Sequence, residues 1–366
     1  MTTTPAAVHL ARWTTSVPLL ALAVMVFTWG SDPDGILLVL VAALLAGAVL
    51  AAVHHAEVIA HRVGEPFGSL VLAVAVTVIE VALIVTLVTT GAKGADSLAR
   101  DTVFAAIMIT CNGIVGLSLL FASRGGRAPV FNAEGAGSAL GAVVTVATLC
   151  LVLPTFTQGR SGPEFTPGQL AFAAVASFGL YALFVAMQTR RHRDYFLPRP
   201  DGGPDTEDWH ADPPSNREAV FSLVLLLVAL VAVVGDAKTV SPAMEDAVAA
   251  ADLPQSVVGV LIALLILLPE TIAAVRAARR RRVQVSLNRA YGSAMASIGL
   301  TIPVIAIAQI WLDGPLVLGL GATEMVLLAL TALTGVLTVV PGRATVLQGG
   351  IHLSILAAFV FLAASP

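Results

Sequence analysis

Leu70-Val71-Leu72-Ala73-Val74-Ala75-Val76-Thr77-Val78-Ile79-Glu80-Val81-Ala82-Leu83-Ile84-Val85 holds one charge among sixteen residues, with at least nine uncharged residues on either side of it. A helix needs about 20 mostly apolar residues to cross the hydrocarbon of a bilayer. The glutamate in the middle cannot reach water from either end. Even the milder insertion scales put an acid at that depth at about 2.5–3.5 kcal/mol unfavourable, a cost that asks for a function.

The same apolar character extends in both directions. Of the 366 residues, 57% are AVILMFWYC and only 12% are charged, with a mean hydropathy of +0.90, whereas an ordinary soluble domain carries about 25% charge. Eleven spans are marked, at roughly 13–29, 35–56, 67–90, 102–122, 134–155, 167–189, 218–235, 254–276, 288–312, 318–340 and 345–364. The expected fold is therefore an all-α polytopic membrane protein of eleven transmembrane helices, with bilayer lipid as its surroundings. The net charge of −3 gives no reason to expect nucleic acid as a partner. The two cysteines, Cys111 and Cys150, lie inside apolar segments, so a disulfide scaffold or CxxC metal site is excluded. The first span reads as retained rather than cleaved, since it has only Arg12 before it and no small-residue cleavage site. Trp13 and Trp29, about 24 Å apart on a helix, suit its two interfaces.

A cytoplasmic N-terminus places 16 of the 20 Lys and Arg on the inner side and leaves Lys93, Arg100, Arg160 and Lys238 outside. That asymmetry follows the positive-inside rule and gives a plasma (inner) membrane protein with its N-terminus in the cytoplasm. Residues 190–217 begin basic and become acidic and rich in Pro and Gly, as a cytoplasmic connector would. The expected division is residues 1–34 with the leading helix, a first repeat at 35–189, the linker at 190–217 and a second repeat at 218–366. An offset of 190 residues lays Glu80 over Glu270, Glu134 over Glu324, and Gly64-Glu65-Pro66 over Pro254-Gln255-Ser256. Five spans per repeat is an odd number, so the second copy enters the membrane inverted, as in many secondary transporters.

Glu80 and Glu270 are the candidate cation- and proton-binding residues. Pro269 precedes Glu270 and leaves the Leu265 carbonyl without its helical donor. Facing carboxylates, the Thr77 hydroxyl and freed carbonyls would offer a hard cation such as Ca²⁺ or Na⁺ the oxygen ligands it prefers. Buried carboxyls also hold protons well, so competition for one site suffices for antiport. Asn112, Ser293 and Ser297 could ligate an ion or join helices, and permanently protonated glutamates could serve as interhelical hydrogen-bond glue. Glu134, Glu324 and Glu65 are possible accessory acids, the first two equally suited to helix starts at the interface. His54, Glu57 and His61 share one helix face at i, i+3 and i+7. They could sense pH or bind a transition metal, or simply form a polar helix end. His352 stands alone, as a satisfied core histidine would, and Arg279–Arg282 read as a topology determinant.

Two stretches resemble the bacterial ChaA family of the calcium/cation antiporter superfamily. They are His54-His55-Ala56-Glu57-Val58-Ile59-Ala60-His61-Arg62-Val63-Gly64-Glu65-Pro66, running on to Thr77-Val78-Ile79-Glu80, and Leu268-Pro269-Glu270-Thr271-Ile272-Ala273-Ala274-Val275-Arg276, running on through Ser286-Leu287-Asn288 to Gly292–Pro303. The resemblance implies an eleven-helix fold with inverted repeats, Glu80 and Glu270 as the repeat acids, and export of Ca²⁺, or of Na⁺ or K⁺, against entering H⁺. It implies no enzyme activity and no resident cofactor. Val76-Thr77 and Ile266-Leu267 stand where the wider proton-coupled calcium exchangers carry Gly-Asn, which removes neutral amide oxygens and keeps Na⁺(K⁺)/H⁺ exchange as the alternative. Alternatives of another class are an ion channel and an intramembrane metalloenzyme built on the histidines.

Overall fold

The computed structural model describes residues 5–64, 67–89, 91, 94–123, 128–197, 214–312 and 314–365. The chain order is α1 (Pro5–Thr28), α2 (Gly35–Val63), α3 (Phe67–Thr89), α4 (Leu98–Met108), a π-helical turn (Ile109–Ile114), α5 (Val115–Ala122), α6 (Ala133–Ala147) and α7 (Leu153–Phe156). It continues with α8 (Pro167–Ala186), α9 (Asn216–Ala250), α10 (Ser256–Arg279), α11 (Val283–Ala308), α12 (Ala322–Val339) and α13 (Val346–Ala364). Among the described residues 10 helical spans are long and apolar enough to cross a membrane, and Trp13–Thr28 adds a shorter one, in agreement with the expected helix count. In water the β-branched alternation around Val74–Ile79 would suit a strand. Lipid offers no partner for strand-edge amides, so the segment becomes a helix, which satisfies its own backbone. Hydroxyls are absorbed in the same way: Thr86 donates to the Ala82 carbonyl at 2.6 Å and Thr271 to Leu267 at 2.7 Å.

The helices start and stop where local chemistry directs them. Thr166 with Gln169, Ser215 with Glu218 and Thr345 with Gln348 form reciprocal capping boxes at the heads of α8, α9 and α13. Gly64, at φ 74°, closes α2 with its amide on the Ala60 carbonyl at 2.9 Å, a backbone conformation that favours glycine.

The helices group into two compact units, each drawing on chain from both sides of the linker: residues 1–95 with 208–251, and residues 96–207 with 252–366. In the first unit α2 packs on α9, α1 and α3. Its buried face is built of small residues, Ala48, Ala51, Ala52 and Ala56, and α9 contributes Ala229 and Ala232. Small side chains let helices approach closely where lipid gives little hydrophobic drive to associate. In the second unit the continuous span Leu98–Ala122 is central and mostly buried, with α10, α11 and α13 against it. Glycines set the close approaches. A Cβ on Gly259 of α10 would lie 2.9 Å from Asp101 Cβ of α4, and one on Gly299 of α11 would lie 2.6 Å from Tyr181 Cβ of α8. The lipid-facing side is apolar, as Phe172, Val175 and Phe178 on α8 illustrate.

One element departs from expectation. The span expected at 218–235 continues as helix to Ala250, 35 residues in all, and carries Asp236, Lys238, Glu245 and Asp246 with it. Alanines at 243, 247, 249 and 250 favour helix, and the interior Pro242 removes only one backbone bond. The linker residues 198–213 and Glu65, Lys93, Arg124, Arg127 and Arg199 lie outside the described residues. Gly299→Val should lower stability by about 1–3 kcal/mol through overpacking against Tyr181. Gly292→Ala, where a Cβ would meet nothing within 4 Å, should not; thermal unfolding of the purified variants in one detergent compares them.

Candidate functional site

Glu80 sits in α3 of the first unit, 3% exposed, with buried Thr77 one turn before it on the same face. Val74 and Val78 occupy the exposed face of that helix. Glu270 sits in α10 of the second unit, 9% exposed, directly after Pro269. Leu261, Leu264, Leu268 and Ile272 form the exposed stripe of α10. In both helices the residue two places before the acid, Val78 or Leu268, faces outward, which turns the acid roughly 200° away from lipid. Each acid thus lies on the protected face of its own helix.

Asn112 lies in the π-helical turn and is fully buried. Extra residues in such a turn re-aim side chains, and these turns recur at functional sites. Its Nδ2 donates to Thr331 Oγ1 of α12 at 2.9 Å, and its Oδ1 lies 3.1 Å from His352 Nδ1 of α13. Thr331 Oγ1 in turn donates to the Leu327 carbonyl at 2.8 Å, and His352 Nε2 lies 3.1 Å from Thr338 Oγ1. The proton positions follow from the chain of bonds. An amide oxygen only accepts, so His352 carries its proton on Nδ1, and its Nε2 accepts from the Thr338 hydroxyl. Asn112, Thr331, Thr338 and His352 are therefore one closed network within the second unit. Ser297 is buried on α11 and Ser293, one turn earlier, is half-buried. Nearby, Ser118 of α5 bonds Ser286 of α11, and Ser286 donates to the Ala274 carbonyl of α10 at 2.9 Å, pinning α10 and α11 together.

The remaining expected residues are more dispersed. Glu134 is exposed in the first turn of α6, capped by Asn132, whose Oδ1 accepts the Glu134 and Gly135 amides at 2.9 and 3.1 Å. Glu324 is half-buried in the first turn of α12. Both positions suit the helix dipole. His54 and Glu57 are half-buried and His61 is exposed. No group of three or more His, Cys, Asp or Glu side chains able to hold a metal occurs among the described residues. The engaged histidine is His55, buried in the first unit, with Nε2 3.0 Å from the Thr14 carbonyl and Nδ1 3.3 Å from Ser222 Oγ. A carbonyl only accepts, so Nε2 carries the proton and Ser222 donates to Nδ1, tying α2 to α1 and α9.

Sequence reasoning did not link Thr331, Thr338 and His352 to Asn112, although threonines at 331, 334 and 338 mark a hydroxyl stripe on α12. The span marked at 218–235 also stopped one residue short of Asp236.

Buried acids on the lipid-shielded faces of membrane-spanning helices mark an ion-handling transport protein. The chain belongs to the sodium/calcium exchanger protein family, whose model matches residues 35–190 and 221–364. It is similar to the y4hA protein of Sinorhizobium fredii, 44% identical with 98% of this chain and 97% of that one covered. It is also similar to the sodium-potassium/proton antiporter ChaA of Escherichia coli, 34% identical with 94% and 93% covered. Among solved structures it shares the fold of YfkE (TM-score 0.71, 15% identity, 96% of this chain and 98% of that one). The H⁺/Ca²⁺ exchanger CAX has the same fold (TM-score 0.67, 17% identity, 96% and 91%). The chain is a multi-pass membrane transporter of the calcium/cation antiporter superfamily and not an enzyme.

Removing one partner of the Asn112–His352 bond should cost about 0.6–2 kcal/mol, the range for interhelical hydrogen bonds in membranes. A double-mutant cycle of Asn112→Ala and His352→Ala should show the two losses to be non-additive. Additive losses would mean that the bond contributes nothing measurable.

Proposed function

We propose that this protein is a secondary-active antiporter that exports Ca²⁺ in exchange for H⁺, with Glu80 and Glu270 taking cation and protons in turn. The observation that carries the reading is the matched placement of the two acids: 190 residues apart, each deep in an apolar helix and each on the face away from lipid. Packing alone gives no reason for such correspondence. The family match over 35–190 and 221–364 falls on the two proposed inverted repeats, which supports one acid per repeat. Two carboxylates balance the charge of one divalent ion or of two protons, so cation and protons compete for the same groups. Binding one kind displaces the other, and alternating access makes that displacement an exchange across the membrane.

Thr77, Ser293 and Ser297 are proposed to add hydroxyl oxygens to the ion's surroundings, and Asn112 to brace them. Glu134, Glu324 and Glu65 are proposed as accessory acids at the ends of the pathway. His54, Glu57 and His61 are proposed as a pH-responsive cluster at the inner end of α2.

A second reading, Na⁺ or K⁺ in place of Ca²⁺, is favoured by two observations. ChaA, alike over nearly its whole length, carries sodium-potassium/proton antiport in its name. The Asn112 amide oxygen is already engaged by His352, which leaves fewer neutral oxygens for an ion that takes 6–8 ligands. We also propose a plasma (inner) membrane location with the N-terminus and the 190–217 linker in the cytoplasm, on the strength of the Lys and Arg asymmetry.

Everted vesicles holding a pH gradient should lose it when CaCl₂ is added, and Glu80→Gln and Glu270→Gln should each abolish the effect. Loss of the gradient with NaCl or KCl but not CaCl₂ would select the second reading, and variants that work normally would sink the role of the acids. A cysteine placed in the linker should be labelled by an impermeant maleimide in everted vesicles and not in intact cells; the reverse pattern overturns the orientation.

A further inference from the structure

The first unit holds a third buried acid that the exchange at Glu80 and Glu270 does not use. Asp236 lies in α9 after seventeen uncharged residues, Ala219–Gly235, and its side chain is 0% exposed. Neither carboxyl oxygen has a hydrogen-bond partner among the described residues. The contrast with Asp101 is direct: that aspartate, also shielded, holds Arg100 at 2.7 Å and accepts from Ser97 at 3.0 Å. A carboxylate with neither donor nor counter-ion is heavily penalised in a dry interior, so Asp236 carries its proton in this conformation. A neutral acid serving as interhelical glue would donate its O–H to something. Asp236 donates to nothing described, and so it joins no helices.

Its surroundings are specific. α9 packs against α2, α1 and α3. The ionisable groups on those elements are His54, His55, Glu57, His61 and Arg62 on α2 and Glu80 on α3, with none in Trp13–Thr28 of α1. His55 is bonded to Thr14 and to Ser222, the latter fourteen residues and about 21 Å along α9 from Asp236. Arg62 donates to Asn216 at 2.7 Å, near the start of α9. On α9 itself are Arg217, Glu218, Glu245, Asp246 and Lys238. The Lys238 ammonium lies 5.7 Å from the centre of the Trp29 ring, and residues two apart on a helix do not face each other. Trp29 suits a membrane interface, so Asp236, two residues or about 3 Å along α9 from Lys238, lies just inside that level, close to water yet sealed from it. The seal includes α1: a Cβ on the adjacent Gly235 would lie 2.2 Å from Met25 Sδ.

We propose that Asp236 is a further proton-binding site, loaded in the packed state of the first unit and unloaded when α9 separates from α1 enough to admit water at the Trp29 end. On unloading, the carboxyl O–H bond breaks and the proton passes to water. On reloading, the carboxylate takes a proton back from water, and no other reactant is consumed. The proposal rests on the proton-coupled reading of this chain.

Asp236→Asn is the discriminating variant, because Asn copies the size and polarity of the protonated acid but cannot exchange a proton. In everted vesicles its pH profile of cation-driven proton movement should shift by about one pH unit or more, or the movement should be lost, and Asp236→Glu should restore it. Infrared difference spectra of the purified wild type taken across a pH step should contain a carboxylic-acid C=O band that Asp236→Asn lacks and Gly292→Ala retains. An Asn variant with the wild-type pH profile and an unchanged spectrum overturns the proposal. If the wild type moves no protons, the transport reading fails, and the presence or absence of the infrared band alone decides Asp236.

Discussion

In the hydrocarbon of a bilayer no water is at hand to pair with an N–H, a C=O or a hydroxyl. Every such group in this chain must find its partner inside the protein or be left to a purpose. The regular elements are helices because a helix closes its own backbone bonds. The hydroxyls mostly turn back on their own helices, as Thr28 does to Val24, Thr110 to Ala106 and Thr148 to Val144, with bonds of 2.7–2.9 Å. What remains after that internal accounting is a short set of polar groups that either join helices or stand apart, and the functional reading concerns that set.

The second unit shows the joining case. Asn112, raised out of the regular helical register by the π-helical turn, spends both ends of its amide on neighbouring helices, and each partner passes the demand on until it ends at a backbone carbonyl or a ring nitrogen. Such a network admits one arrangement of protons, which fixes the His352 tautomer and the amide orientation together. A second polar cluster ties the head of α11 to other parts of this unit. Gln284 accepts the Asn132 amide at 2.6 Å and donates to Asn288, which donates to the Phe196 carbonyl at 2.6 Å. These clusters brace α11, the helix that carries Ser293 and Ser297.

The buried carboxyls are a different case. Their cost in lipid is what a transporter exploits, because a group expensive in its charged form is easily persuaded to hold a proton or a metal cation instead. Asp101 holds its neighbour Arg100 at 2.7 Å, whereas neither carboxyl oxygen of Asp236 has a hydrogen-bond partner among the described residues. That difference is the ground on which Asp236 is proposed to exchange a proton.

Much of this was legible in one dimension. The cost of placing a residue in lipid is paid residue by residue, so apolar runs gave the spans, their charge asymmetry gave an orientation to test, and the depth of Glu80 and Glu270 stood out as exceptions within those runs. The family could be recognised from the same stretches. Only the tertiary structure decided which polar groups meet. Asn112 and His352 are 240 residues apart, and no local pattern encodes a hydrogen bond over that separation. The continuation of α9 past its apolar run, and with it the burial of Asp236, was also invisible: helix propensity beyond the membrane edge is weak information, and burial is set by neighbouring helices rather than by the residue's own segment.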